Sequence, residues 1–75
     1  MSIVVQTMVK VITDNGDIIF MAHRERTVTD PNEDPETTSL ATLSAVADMT
    51  KATLEDALDE GKRWAEAIRN ATGGS

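Results

Sequence analysis

Apolar and polar side chains alternate through the first third of the chain, and the period then changes. Residues Ile3 to Thr13 are rich in β-branched side chains, and Asp17 to Val28 follow with a similar character. A period of two predicts strands over about residues 3–13 and 17–28. Between them lies Asp14-Asn15-Gly16-Asp17. Asn-Gly supplies the two positive-φ positions of a type I′ turn, so the two strands are expected to form an antiparallel β-hairpin. With Asn15 and Gly16 as the loop, one face pairs Thr13 with Ile18, Val11 with Phe20, Val9 with Ala22, Thr7 with Arg24 and Val5 with Arg26. The other pairs Ile12 with Ile19, Lys10 with Met21, Met8 with His23, Gln6 with Glu25 and Val4 with Thr27.

Neither face is wholly polar. Val9, Val11, Ile18, Phe20 and Ala22 make the better core, while Met8, Ile12, Ile19, Met21 and Val4 leave an apolar strip on the opposite side. A sheet with two apolar faces needs two coverings, and a short chain supplies one.

The pattern breaks over residues 29–36, where two prolines and a cluster of acids predict a solvated loop. Asp34-Pro35-Glu36 has the form of a helix start, with Asp34 as N-cap and Pro35 in the first position. Residues 37–49 fit two descriptions. Leu40, Leu43, Val46 and Ala47 fall at helical spacing, and the interleaved Thr and Ser would equally suit a third strand. From Thr53 a helix over about residues 54–70 is expected: Thr53-Leu54-Glu55-Asp56 has capping-box spacing, and Leu54, Leu58, Ala65 and Ile68 form one apolar stripe. Gly61 beside that stripe implies a close approach to the sheet or to another helix. Residues 72–75 are expected to be a flexible tail. The fold class is α+β, one domain over residues 1–75, a hairpin packed on a C-terminal helix.

Composition adds limits. A chain of 75 residues has a small core, and with no cysteine and one histidine it lacks disulfides, thiolate zinc sites and multi-histidine metal sites. Idealised packing or self-association is the remaining reinforcement, and the two apolar hairpin faces favour self-association, a homodimer being its commonest closed form. No signal-like leader or membrane-length apolar run is present, which predicts a cytoplasmic protein without a membrane contact. The net charge of −6 lies wholly in residues 29–75, which repels nucleic acid and favours basic protein surfaces.

Candidate chemistry is sparse. His23 has no nucleophile or orienting group beside it in the expected register, so it reads as a strand histidine or an interface residue. Arg24 and Arg26 on one face, with Lys10 and His23 on the other, could capture phosphate or carboxylate, or could pair with helix acids such as Glu55 or Asp59. Asp30, Asn32, Asp34 and Glu36 alternate like a calcium loop, but Pro35 and Ala41 stand where the glycine and the bidentate glutamate belong. Phosphate loops, nucleophile elbows and aromatic stacking platforms are missing, and no cofactor is implied.

The expected function is therefore a small acidic non-enzymatic binding protein, an inhibitor or adaptor that contacts another protein through Met8, Ile12, Ile19, Met21 and Trp64. An oligomeric nucleotide or small-molecule binder, with inter-subunit pockets built from Lys10, His23, Arg24 and Arg26, is the alternative. In size and composition the chain resembles small accessory proteins that phages encode against host machinery or defences.

Overall fold

A computed structural model describes residues 2–32 and 34–73. Two strands, β1 (Ser2–Ile12) and β2 (Ile18–Thr29), form an antiparallel hairpin, and one helix, α1 (Pro35–Gly73), runs back along it. The hairpin-plus-helix α+β architecture is the one expected, and residues 37–49 are helical.

From Val11↔Phe20 to Val4↔Thr27 the strand pairing follows the expected register, and it continues to Ser2↔Thr29. The turn differs. Three residues, Asp14, Asn15 and Gly16, separate Thr13 from Asp17, whose carbonyl accepts the Thr13 N–H at 2.9 Å. Gly16 N–H donates to the Thr13 carbonyl at 3.0 Å, and Gly16 takes φ +92°, the left-handed geometry that closes a three-residue hairpin loop. This longer loop alone would slide the strands by one residue. A bulge offsets it: Ile12 pairs with Ile18, and Ile19 is the extra residue before Phe20. The expected pairs Thr13 with Ile18 and Ile12 with Ile19 are therefore replaced, and both Ile19 and Phe20 are half-buried.

The helix is a single element of 39 residues, starting far earlier than residue 54. Asp34 caps it as expected: its carboxylate accepts the Glu36 N–H at 3.3 Å and the Thr37 hydroxyl at 2.6 Å, with Pro35 in the first position. The serines and threonines that left residues 37–49 open to a strand are accommodated by back-bonding. Ser39 donates to the Pro35 carbonyl at 2.6 Å and Thr42 to the Thr38 carbonyl at 2.8 Å. Thr53 is no cap. It lies mid-helix, 1% exposed, and its hydroxyl meets that of Thr7 at 2.5 Å. The helix also takes in Thr72 and Gly73, assigned above to the tail; residues 74 and 75 lie outside the described residues.

The inner hairpin face packs on this helix. Val5, Ala45 and Met49 form the buried cluster, flanked by Ile3 and Val28, with Ala22 and Ala57 buried nearer the turn. This core is small for its surface. The chain exposes 5660 Å², whereas a compact protein of 8.1 kDa exposes about 4,500 Å². Its radius of gyration is 17.5 Å, against about 11 Å for a compact domain of this length.

Candidate functional site

Three surfaces carry the residues singled out from the sequence. The outer face of the hairpin presents Val4, Met8, Ile12 and Met21, each roughly half exposed, with Ile18 joining them opposite Ile12. Of the proposed partner-binding set, Met8, Ile12 and Met21 thus share one face. Ile19 leaves it through the bulge. Trp64 is elsewhere, on the helix, its ring against Phe20 of the inner face at a centroid separation of 6.1 Å and a tilt of 43°. Sequence spacing places residues on faces of their own element, and the sheet-to-helix docking that separates Trp64 from the strip is a tertiary property.

The four basic residues are divided by the sheet. Lys10 and His23 lie on the outer face, paired with Met21 and Met8 respectively. Arg24 and Arg26 are on the inner face, opposite Thr7 and Val5. Arg24 grips Asp56 with two donors, Nε to Oδ2 at 2.7 Å and Nη2 to Oδ1 at 3.2 Å. The helix acid that takes Arg24 is therefore Asp56, which lies between the expected Glu55 and Asp59. That hydrogen bond raises the Arg24 pKa and lowers that of Asp56. Within one subunit the four side chains do not converge on a common ligand.

The acidic loop is held by its own carboxylate. Asp30 Oδ1 accepts the Asn32 N–H at 3.0 Å, while Oδ2 accepts the Asp34 N–H at 2.9 Å and the Thr38 hydroxyl at 2.9 Å. The Asn32 N–H, then the Thr38 hydroxyl, hold the Asp30 carboxyl below its ordinary pKa against the opposing effect of burial. Both oxygens are occupied by protein donors, and no metal-binding cluster of acids and histidine occurs among the described residues. Asp30 was overlooked as an anchor, although Asp30-Pro31-Asn32 carries the signal: an aspartate before a proline readily captures the backbone N–H two residues on.

The third surface was not legible from the sequence. On the β1 flank a groove of about 560 Å³ runs between strand and helix, walled by Val9, Val11, Phe20, Leu54, Leu58 and Ala65. Gly61 is part of its lining, and a Cβ there would stand 3.1 Å from Phe20 Cζ. The β2 flank is different. There Met21, Ala22 and His23 of the strand and Asp56, Asp59, Glu60 and Arg63 of the helix line a smaller polar hollow of about 260 Å³.

No known protein family, curated protein or solved structure matches the chain. Among the described residues no helix is long and apolar enough to cross a membrane.

Proposed function

We propose that this chain is a non-enzymatic binding module that acts by contact with another protein, as an inhibitor or adaptor. One observation supports this above all: Val4, Met8, Ile12, Ile18 and Met21 stand exposed on a sheet face over which no element of the described residues lies. Unbranched, polarizable methionines adapt to irregular partner surfaces, and a flat apolar face edged by Lys10 and His23 suits an apolar protein surface with an acidic rim. The bound partner would be identified by cross-linking and then measured directly with both proteins purified. Met21→Asp, at an exposed position, leaves the helical signal intact and weakens that binding by roughly a hundredfold. Equal affinity of the variant and the parent would remove this face from the function. Nucleotide-dependent thermal stabilisation that vanishes in Arg24→Ala would instead favour a small-molecule site between subunits.

A further inference from the structure

The excess surface has a location. Among the described residues β1 pairs only with β2, so the other edge of its 11 residues presents backbone groups without a strand partner there, with no proline or bulge on β1 to blunt it. Beside that edge the helix carries an apolar stripe that the hairpin leaves exposed. Leu40, Ala47, Leu54 and Ile68 fall at multiples of seven residues with Leu43 and Leu58 beside them, while Ala57, Gly61 and Trp64 of the same period turn to the hairpin. Leu40, Leu43 and Leu58 are more than 60% exposed, and Leu54 and Ile68 about half. A seven-residue apolar repeat is the pattern by which one helix packs along another. Leu54 and Leu58 wall the groove on the β1 flank, so the strand edge and the stripe open on the same side.

The two features also share a centre. Thr7 is the middle residue of β1, Ser2–Ile12, and residue 54 is the middle of the helix, Pro35–Gly73. Thr7 and Leu54 line one hollow, and Thr7 touches Thr53. A twofold axis at that height pairs β1 with a second β1, Thr7 opposite Thr7, Val5 opposite Val9 and Ile3 opposite Val11, which keeps inner residues on the inner face. The same axis sets Leu54 against Leu54 and Leu40 against Ile68. Two hairpins joined at an edge stand about 9.6 Å apart centre to centre, within the range of about 8–10 Å at which helices pack. Charge agrees with the antiparallel sense. Asp48 then lies near Lys62 of the second copy and Lys51 near Glu55 of the second copy, with Glu55 near its own copy as the one like pair, whereas parallel helices would set every charge beside its like.

The area is sufficient. A stripe from Leu40 to Ile68 is about 42 Å long, and each side of a stable interface buries roughly 800 Å². The surplus over a compact protein, roughly 1,200 Å², exceeds that.

We propose that two copies of the chain join about a twofold axis beside Thr7 and Leu54, β1 pairing antiparallel with β1 and the two helices packing antiparallel through the Leu40–Ile68 stripe. The product is a four-stranded sheet with both helices on one side and two copies of the Met8–Met21 strip continuous on the other. This interface uses a different surface from the partner-binding face, so each can fail without the other.

The absence of cysteine makes the test direct. Sedimentation of the full chain at micromolar concentration reads a dimer, and Leu58→Glu raises its dissociation constant by roughly a hundredfold or more. Single-cysteine variants then locate the interface. Oxidised Thr7→Cys is expected to form a covalent dimer, because facing residues of paired strands lie within disulfide reach, and Leu54→Cys reports the helix contact if Thr7→Cys disturbs Thr53. Met21→Cys stays uncoupled, the two β2 strands being about 14 Å apart. A folded monomer at that concentration overturns the proposal. So does a dimer linked through Met21→Cys and through neither Thr7→Cys nor Leu54→Cys, which would place the outer sheet faces against each other.

Discussion

Along β2 the gap between sheet and helix is closed by charge, and along β1 it is left open and apolar. On the β2 flank Arg24 reaches across to Asp56, and Asp59, Glu60 and Arg63 complete a border that water can solvate. On the β1 flank the same helix, a few residues along, offers Leu54, Leu58 and Ala65 around Phe20. A flank that ends in paired charges has no further apolar area to hide. A flank that ends in leucine beside a strand edge leaves apolar area in water.

The comparison rests on a shared centre, and the largest effect is expected there. Met49, 3% exposed, packs with Val5 and Ala45 beneath both flanks. Met49→Ala removes most of a buried side chain and is expected to cost about 2–5 kcal/mol in urea unfolding. A loss under about 1 kcal/mol would mean that the flanks, and not this cluster, hold the helix to the hairpin.

A change confined to the β1 flank comes next. Gly61→Val forces a branched side chain against the Phe20 ring, at an expected cost of about 1–3 kcal/mol. Trp64 rests on Phe20, so its fluorescence should shift in the folded variant. Gly61→Ala separates the two contributions: its Cβ meets only the tip of a movable ring, and the helix gains about 1 kcal/mol in propensity. If alanine proves as harmful as valine, the approach of Phe20 is tighter than a ring rotation can relieve.

Between the flanks, Thr7 and Thr53 test how the sheet is pinned to the helix. Thr53→Val leaves the Thr7 hydroxyl without its partner and is expected to cost about 1 kcal/mol. Adding Thr7→Val removes the orphan, so the double variant should recover much of that loss. Additive losses would show that the two hydroxyls do not act as a pair.

These positions also show why the fold was only partly legible. Alternation and Asn15-Gly16 announce the hairpin, and Asp34-Pro35 the helix start, because these signals are local. Loop length was not legible: Asn-Gly serves two-residue and three-residue loops alike, and the choice involves the Thr13 hydroxyl, which accepts the Asp17 N–H at 3.1 Å. Thr53-Leu54-Glu55-Asp56 imitates a helix start, and only a contact 46 residues away reveals that Thr53 is buried mid-helix. The outer strip followed from strand period, whereas the β1 groove required knowing which side of the helix meets which edge of the sheet.

The smallest expected effect is acid sensitivity, and it belongs to the charged flank and the loop, not to the β1 groove. Asp56 is lowered in pKa first by its bond from Arg24, and Asp30 first by the Asn32 N–H. A carboxyl whose folded pKa is depressed adds stability that is fully present above its unfolded value, about 3.9, and disappears as pH falls through the folded value. Urea midpoints should therefore hold from neutrality to about pH 4 and decline below it. Asp56→Asn and Asp30→Asn should each flatten that decline, while Leu58→Ala on the β1 flank should leave its slope unchanged. Asp56 is substantially exposed and its pair with Arg24 is screened by solvent, so Asp30, buried and holding three donors, is expected to dominate. A slope altered more by Asp56→Asn than by Asp30→Asn would reverse that order and make the β2 flank, not the loop, the acid-labile part of the molecule.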